Sequence, residues 1–516
     1  MENTKDSLDL LIINPGNASR IYQGLSDDIA AIEPPTWALL LAESVRSVGH
    51  KVEILDVNAE RLSIEESASR IKSKQAKLIC FVVYGQNVNA GTVSMSGAVE
   101  LAEQLKKIEI DPPVAFLGSY VQALPIKTLS EESCIDFIFT NEGVYALRNV
   151  LSLNSINSET LASIKGVAFR EKNGKVVMNP PERIVPNDRM DIDLPGYAWD
   201  LLPFKEKPLD LYRSPLWHAN YDKNLRTPYA AIQTSLGCNF GCSFCMINII
   251  NRDDNEEVGV ASDYKGMRFW STDFNLSQID KLVEMGVRTI RIVDEMFLLY
   301  KKHYVPLCEQ LSKRSYASEL KMWSYSRIDT VTDPEFLNIV RAAGIRWLCL
   351  GIESGDKKVR LEVSKGKFED VDIHKVIGQV HDADIEVMAN YIVGLPGDDQ
   401  ETMEKTYKLS EELNTSGWNM YAAMALPGSQ LYKDSLRKGY ELPSGYTGFS
   451  FHSFDTLPMP TEKLSPGEIL KFRDEAFLRY HANPNFRERI ETKFGKKAVE
   501  SIEFMIKIKL TRKIYS

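Results

Sequence analysis

Two stretches of this chain alternate short apolar runs with amphipathic helical patterns, and this alternation restricts the possible fold more than any other feature. In the first stretch, nearly continuous apolar runs cover residues 8–14, 52–57, 78–84 and 114–117, with helical patterns such as 37–48 and 93–108 between them. Runs of this kind are typical of parallel strands buried on both faces of a sheet. Residues 1–150 are therefore predicted to form an α/β domain with a doubly wound, Rossmann-like sheet.

The second alternating stretch, residues 226–430, contains six candidate strands separated by helical patterns such as 276–285 and 334–343. Six βα units in this length predict a partial (β/α)6, TIM-like barrel, in which reactive groups stand at the carboxyl ends of the strands. The candidate strands are residues 230–234, 289–293, 321–325, 347–352, 386–393 and 419–425.

Two further segments connect and extend these stretches. Residues 151–225 are predicted to be a hairpin and linker, because Asn173-Gly174 is a strong hairpin turn signal and several prolines follow it. Residues 431–516 are predicted to form a mostly helical extension. Its basic, amphipathic end (507–513) favours a solvated helix face or frayed terminus, with a membrane-surface anchor as the alternative.

Composition limits the classes of partner. The net charge of −9 excludes a surface built throughout to bind nucleic acid. No apolar run approaches the roughly 20 residues of a transmembrane helix, and the first residues lack the apolar core of a signal peptide. We therefore expect a cytoplasmic protein without a transmembrane segment, whose seven cysteines are free of disulfides.

Three of those cysteines, Cys238, Cys242 and Cys245, lie within eight residues directly after the first predicted barrel strand. Structural zinc sites need four ligands, usually as two separated pairs, and ferredoxin loops use another spacing and a fourth cysteine. Three thiolates on a four-iron cluster would leave one iron open. An open iron can bind and activate a substrate, whereas a fully ligated cluster only carries electrons.

The cysteine segment resembles the radical S-adenosylmethionine (SAM) signature C-x3-C-x-(aromatic)-C, with Phe244 in the aromatic position near the adenine. The resemblance implies that the three cysteines hold a 4Fe-4S cluster. It also implies reductive cleavage of SAM to a 5′-deoxyadenosyl radical, with electrons from a reductant such as flavodoxin or ferredoxin.

Later segments resemble further motifs of the same family, in the same order along the chain. A carboxylate, Asp294 or Glu295, would accept hydrogen bonds from the SAM ammonium, because charge-assisted bonds are strong in a site of low dielectric. Glu353 would accept hydrogen bonds from the ribose hydroxyls. The SAM-binding residues that the resemblance implies are Phe244, Asp294, Glu295, Ser324, Arg327, Glu353 and Gly394.

The N-terminal stretch lacks a G-x-G-x-x-G motif after its first strand, so a dinucleotide site is a poor interpretation. Its loops resemble the cobalamin-binding domain that is fused to many radical SAM enzymes. The Asp-x-His-x-x-Gly motif is absent, which implies that no protein histidine ligates cobalt. His50 is predicted to lie in a turn. The cobalamin-binding residues that the resemblance implies are Asn14, Pro15, Thr36, Tyr84, Gln86, Gly118, Ser119, Glu142 and Gly143.

Three functions are compatible with these motifs. The first is cobalamin-dependent methyl transfer to an unactivated carbon of a small-molecule biosynthetic intermediate. The second is a cyclisation or rearrangement by a cobalamin-binding radical SAM enzyme without methyl transfer, and the third is a non-catalytic corrinoid or Fe-S binding protein. The polar segment 248–265 is an ordinary loop or a lid that lines the cavity. The aromatic residues that we expect to close the barrel are Trp418, Tyr421, His452 and Phe454.

Overall fold

The computed structural model describes residues 8–16, 21–25, 29–85, 88–214, 225–363 and 371–515. Within these ranges, one mainly parallel and one wholly parallel sheet form the centres of two α/β units, and helices follow the second sheet. The α/β class and the predicted order of architectures are thereby confirmed.

The first sheet has seven strands in the order β2-β1-β3-β4-β5-β6-β7. Its first five strands are parallel, as the apolar runs predict. The hairpin predicted in the connector is antiparallel and extends this same sheet, with Gly174 at φ +87° in its turn. The strands are β1 Leu10–Asn14, β2 Val52–Asp56, β3 Leu78–Val83, β4 Val114–Gly118, β5 Phe137–Phe139, β6 Val167–Arg170 and β7 Val176–Met178.

Helices cover this sheet, and the two predicted from residues 37–48 and 93–108 are present as α1 and α4. Helix α1 follows Pro35 and is almost entirely buried. The helices of this unit and its connector are α1 Thr36–Arg46, α2 Val57–Glu60, α3 Ile64–Lys74, α4 Gly91–Lys107, α5 Ser119–Ala123, α6 Pro125–Glu131, α7 Val144–Leu151, α8 Ser158–Leu161 and α9 Met190–Asp193.

The second sheet confirms the partial barrel, with six parallel strands in the order β15-β14-β13-β12-β11-β8. A separate antiparallel pair, β9 with β10, carries the start of the cysteine segment. The strands are β8 Tyr229–Ile232, β9 Ser235–Cys238, β10 Gly266–Phe269, β11 Thr289–Ile292, β12 Lys321–Arg327, β13 Ile345–Glu353, β14 Glu386–Val393 and β15 Gly417–Ala422.

Helices connect the barrel strands and continue into the C-terminal extension. Helix α17 begins with a capping box at Ser465 and packs against the edge strand β15. The helices are α10 Thr272–Glu284, α11 Lys301–Leu311, α12 Pro334–Ala342, α13 Lys357–Val363, α14 Ile373–Asp382, α15 Gln400–Leu413, α16 Gln430–Lys438, α17 Pro466–Ala482, α18 Pro484–Phe494 and α19 Lys496–Lys507.

The edge strands of the barrel, β8 and β15, border a lateral opening, and a segment of the N-terminal unit fills part of it. Glu33 lies just before α1 and forms a buried ion pair with Arg291 of β11. Arg291 also lies 4.8 Å from the ring of Trp323 and 5.1 Å from that of Tyr325. The two units therefore meet inside the barrel as well as at its mouth.

The basic C-terminal end is held in place by one buried arginine. Helix α19 ends at Lys507, and Arg512 beyond it is 1% exposed. Arg512 donates hydrogen bonds to Asp474 and Thr456 and to backbone carbonyls, which satisfies a buried guanidinium. The segment beyond Lys507 thus leaves the helix and is anchored at Arg512, while Lys507, Lys509 and Lys513 are exposed. A surface anchor stays a prediction. Across the described ranges, no helix combines the length and apolarity needed to cross a membrane.

Of the four aromatic residues expected to close the barrel, three pack there. Trp418 stacks on Tyr480 of α17, with ring centroids 5.1 Å apart, and Tyr421 packs on Phe451 at 4.9 Å. The fourth, Phe454, is 50% exposed and lies outside this packing. His452 contacts Tyr22 of the N-terminal unit.

Candidate active site

The cysteine segment begins on β9 and is fixed by its backbone neighbours. The Cys238 N–H donates to Asn248 Oδ1 at 2.9 Å, and Asn248 Nδ2 donates back to the Cys238 carbonyl at 2.8 Å. Gly237 adopts φ +86°, and a Cβ there would lie 2.2 Å from the carbonyl oxygen of Gly266 on β10. A larger residue at position 237 would therefore displace the first cysteine.

The three thiols lie close enough to influence each other. Burial raises the pKa of Cys238 to about 11 and that of Cys242 to about 12, and the pKa of Cys245 is raised well above its ordinary value, again by burial. Their mutual electrostatic interaction adds to the shift for Cys242 and Cys245. In the described part of the chain, no three Cys, His, Asp or Glu side chains close on a single ion. The cysteines of a four-iron cluster ligate different irons, so three thiols fit such a cluster without converging on one ion.

Asp294 uses its carboxylate to hold the start of the cysteine segment. It accepts hydrogen bonds of 2.6 Å from the backbone N–H of Thr234, from the Thr234 hydroxyl and from the Ser235 hydroxyl. His303 Nε2 lies 2.8 Å from the same Thr234 hydroxyl. Both carboxylate oxygens of Asp294 are thus engaged within the protein.

Glu295 is in the opposite situation. Within the described ranges its carboxylate has no hydrogen-bond partner, and burial raises its pKa to about 7. It lies near the cluster thiols, since its charge contributes to the raised pKa of Cys238 and Cys245. Of the two adjacent carboxylates, Glu295 is the one available to an ammonium group.

Glu353 and Arg327 flank the same thiols at the ends of β13 and β12. Glu353 adopts φ +65°, a strained conformation for a residue with a side chain, and burial raises its pKa to about 7. Arg327 pairs with Asp329 through two hydrogen bonds, stacks 3.6 Å above the Phe240 ring and lowers the pKa of Cys242. The strained glutamate and the fixed arginine stand at the barrel mouth, where a bound molecule would meet them.

The three other predicted SAM residues have different surroundings. Ser324 on β12 has a buried hydroxyl without a hydrogen-bond partner in the described structure, which leaves it able to serve a ligand. Gly394 adopts φ +76°, and a Cβ there would lie 2.6 Å from Ile469 of α17, so this glycine permits the approach of the C-terminal extension. Phe244 is half-buried and packs at the edge of the core.

One cleft joins the carboxyl edge of the first sheet to the cysteine segment. From the N-terminal unit it is lined by Asn14, Thr36 and Tyr84, three of the predicted cobalamin residues, and from the barrel it is lined by Ser235 and Glu295 among others. We call this the interdomain cleft. The two sets of predicted residues thus lie on facing walls, although they are distant in the sequence.

Five other predicted cobalamin residues support this arrangement from behind. A Cβ at Gly118 would lie 2.2 Å from the Val83 carbonyl oxygen, and one at Gly143 would lie 2.1 Å from Leu117. Ser119 donates to the Val88 carbonyl at 2.7 Å, and Pro15 is buried beside Asn14. Glu142 forms a buried ion pair with Arg268 of β10, which ties the two units together. The last predicted residue, Gln86, lies outside the described residues.

The segment 248–265 forms a packed wall. Its first part is a buried 3-10 helix, Ile247–Asn251, and Ile247 and Ile250 line the interdomain cleft. The Gly259 N–H donates to the Ala123 carbonyl at 2.8 Å, and the Ala261 N–H donates to that of Gly428 at 2.7 Å. Of this segment, Ile250 lines the cleft, and Gly259 and Ala261 tie its later part to neighbouring elements.

Sequence reasoning missed the Glu33–Arg291 pair and the Gln122 side chain, which hydrogen-bonds Tyr84 and Asn141 beneath the cleft. The available signal was a charged residue within an apolar strand, since Arg291 interrupts the run that forms β11. A buried charge in such a position requires a partner. The sequence does not show where that partner lies.

Comparison with protein families agrees with this geometry. Residues 232–410 match the model of the radical SAM superfamily, and residues 23–151 match that of the B12 binding domain. Together the two models cover more than half of the chain. The chain is a B12-binding radical SAM enzyme.

Two curated relatives span nearly the whole of this radical SAM enzyme. An uncharacterized methyltransferase of Pyrococcus horikoshii is 24% identical over 478 residues, which is 92% of this chain and 93% of the relative. The anaerobic magnesium-protoporphyrin IX monomethyl ester cyclase of Cereibacter sphaeroides is 25% identical over 468 residues, 87% of this chain and 67% of the relative. One relative is thus named for methyl transfer and the other for ring closure.

Solved radical SAM structures share the fold over nearly the full length. The methyltransferase TsrM from Kitasatospora setae, solved with tryptophan and a SAM analogue, has a TM-score of 0.66 at 16% identity and covers 97% of this chain and 99% of that one. The radical enzyme OxsB, solved with aqua-cobalamin and SAM, has a TM-score of 0.63 at 14% identity and covers 97% of this chain and 72% of that one. The likeness establishes a common arrangement of the two units.

Proposed function

We propose that this enzyme cleaves SAM with a 4Fe-4S cluster and uses cobalamin to transfer a methyl group to an unactivated carbon of a small molecule. The interdomain cleft is the observation that carries this proposal. It places the carboxyl edge of the B12-binding sheet opposite the cysteine segment and Glu295. Two cofactors that must act on one substrate require such a shared space.

The residues in and beside the cleft fit both groups. When bound, the cluster supplies the electron that splits SAM, and cobalamin supplies a carrier for the methyl group. Cys238, Cys242 and Cys245 would hold the cluster. Asn14, Thr36 and Tyr84 would contact the cobalamin, supported by the residues packed behind the first sheet.

The protein binds and orients SAM, and it excludes water from around it. Glu295 accepts hydrogen bonds from the ammonium group and Glu353 accepts them from the ribose, since neither carboxylate is engaged within the described structure. The Ser324 hydroxyl is a further unused donor. Ile247 and Ile250 form an apolar wall, which keeps water from a reactive radical.

Relatives support two chemistries. The methyltransferase of Pyrococcus horikoshii favours methyl transfer, and other relatives include a hopanoid C-3 methylase of Methylococcus capsulatus. The cyclases favour ring closure without methyl transfer as a second candidate. Methyl transfer is preferred here because the relative that matches nearly all of both chains carries that name.

The division of the chain into domains, its electron donor and its location are part of the same proposal. Residues 1–150, together with the hairpin of the connector 151–225, would form the B12-binding unit. Residues 226–430 would form the catalytic barrel and 431–516 its extension. A flavodoxin or ferredoxin would deliver electrons, and the cytoplasmic location stays a prediction.

The test is a reconstitution of the full chain with iron, sulfide and hydroxocobalamin, followed by incubation with methyl-labelled SAM, reductant and candidate substrates. Methyl transfer predicts label in the product and formation of S-adenosylhomocysteine. Ring closure predicts an unlabelled product and no S-adenosylhomocysteine. Absence of SAM cleavage in the reconstituted protein would contradict both candidates.

A further inference from the structure

A second cavity, of about 540 Å³, lies at the lateral opening of the barrel beside the edge strand β15. Its inner wall is formed by Met388, Gly417 and Asn419, and its outer wall by helix α19 with the residues that follow it. Tyr22 and Ile29 of the N-terminal unit complete it. We call this the lateral cavity. Its volume lies within the range typical of small-molecule sites.

The N-terminal unit and the chain end together close the lateral cavity. Gln23 Nε2 donates to the His452 carbonyl at 2.6 Å, and the Thr511 N–H donates to Gln23 Oε1 at 3.2 Å. Arg512 anchors the chain end through Asp474, so the cavity has a defined wall. The buried Arg512 thus fixes the chain end as a wall of the lateral cavity.

The lining is suited to an uncharged, largely apolar molecule. Apolar side chains of α19 such as Ile502 and Met505 dominate the outer wall. The charged groups of α17 pair with each other, Arg473 with Asp474 at 2.9 Å and Lys471 with Glu475 at 3.9 Å. Their charges are therefore balanced within α17, and Lys509, the other charged residue of the lining, is exposed.

Two polar side chains of this lining, His452 and Asn419, have unused hydrogen-bonding groups. The His452 ring has no hydrogen-bond partner in the described structure, and burial lowers its pKa to about 3, so the neutral ring offers one donor and one acceptor. Asn419 donates to Asn390 at 3.1 Å and keeps its own carbonyl oxygen for a ligand. A bound molecule with one or two hydrogen-bonding groups would satisfy both residues.

Asn419 of the lateral cavity is linked to the proposed SAM residues through two neighbouring strands. Asn390, the partner of Asn419, pairs with Gly351 across β13 and β14. Gly351 lies directly beneath the carboxylate of Glu353, since a Cβ on it would be 2.5 Å from Glu353 Oε1. Two neighbouring residues thus separate the lateral cavity from the proposed ribose acceptor.

We propose that the lateral cavity holds the apolar body of the substrate and that the substrate enters beside the edge strand β15. This inference rests on the proposed function for the reaction, but the cavity itself can be tested without turnover. The substrate class is an uncharged, largely apolar molecule with a hydrogen-bonding group that His452 and Asn419 recognise.

The test uses N-phenylnaphthylamine, a neutral apolar fluorophore, with the full reconstituted chain. We expect saturable binding at one site. Met505→Trp places an indole in the lateral cavity and should weaken that binding by at least about tenfold. The matched control is Phe504→Trp, because Phe504 is adjacent to Met505, 50% exposed and outside the lining. The affinity of this variant for N-phenylnaphthylamine should stay within about twofold of wild type.

In the second arm, the reconstituted protein is incubated with methyl-labelled SAM and with an extract of cells that contain the protein naturally. The extract is made either with an organic solvent or with water. Label in the organic fraction, reduced by N-phenylnaphthylamine, supports the inference. Absence of probe binding, equal binding by both variants, or label only in water-soluble products overturns it. Wild-type SAM cleavage is assayed separately, so that failure of the proposed function is distinguished from failure of the cavity.

Discussion

Asp294 and Glu295 are neighbours in the sequence, but the structure gives them different tasks. Asp294 accepts three short hydrogen bonds from Thr234 and Ser235, whereas the Glu295 carboxylate has no partner within the described ranges. The sequence reveals an acidic pair at a strand end. It does not reveal which side chain turns toward the cysteine segment, because the alternation of faces ends with the strand.

Asp294→Ala should leave three donors without an acceptor and loosen the start of the cysteine segment. We expect a reduced iron and sulfide content per chain after reconstitution. Glu295→Gln should retain wild-type iron content but bind SAM about tenfold to a hundredfold more weakly, because a charge-assisted hydrogen bond is lost. Iron analysis and equilibrium dialysis with SAM check both. Equal iron loss in the two variants would contradict this division of roles.

At the scale of elements, the apolar runs predict both sheets well because parallel strands buried on both faces carry a continuous signal. The apolar runs do not predict where the backbones of neighbouring strands approach each other closely. Gly118 ends β4, and a Cβ there would meet the Val83 carbonyl oxygen at 2.2 Å. Its identity as a candidate binding residue came from a resemblance, and the structure adds a packing reason for the glycine.

Gly118→Ala should lower the free energy of unfolding by at least about 2 kcal/mol, because backbone atoms of β3 cannot move aside cheaply. The control is Gly378→Ala in α14, where a Cβ meets nothing within 4 Å. That change should be neutral or stabilising by up to about 1 kcal/mol. Urea unfolding of both variants measures the difference. Wild-type stability of Gly118→Ala would show that the two strands are not this close.

Asp193 of α9 joins the connector to α7. It pairs with Arg148 and Arg189 and accepts a hydrogen bond from Tyr145, and these contacts lower its pKa to about 2, with Arg189 the largest cause. A pKa below the unfolded value of 3.8 means that the stabilisation is present above that value. It is lost as the pH falls through the folded pKa.

Asp193→Asn should therefore cost about 2 kcal/mol of unfolding free energy near neutral pH. The difference from wild type should shrink between about pH 4 and pH 2, where Asp193 becomes protonated in the folded protein. Urea unfolding of both proteins across this range measures it. A difference that does not change with pH would show that the ion pairs contribute nothing.

At the scale of the whole molecule, the sequence predicts the two units and the order of their motifs, but not how the units meet. Glu33 and Arg291 are 258 positions apart, and neither local pattern names the other as its partner. The lateral cavity depends in the same way on contacts between the first and last parts of the chain. Such long-range pairings follow from packing and charge burial, which local periodicity does not encode.

Removal of one partner of the Glu33–Arg291 pair should be costly, because it leaves a buried charge alone. Glu33→Gln and Arg291→Met should each destabilise the protein by about 3 kcal/mol, and the double variant should cost clearly less than their sum. A double-mutant cycle from urea unfolding measures the coupling. Additive effects would contradict a direct pair between the two units.

Cleavage of SAM by this chain requires the three cysteines to act as one site. The direct measurement is 5′-deoxyadenosine formed by the reconstituted full chain with SAM and dithionite, in wild type and in Cys242→Ala. We predict 5′-deoxyadenosine from wild type and none above background from the variant, together with loss of cluster absorbance. A Cys242→Ala protein that still forms 5′-deoxyadenosine at the wild-type rate would contradict the account.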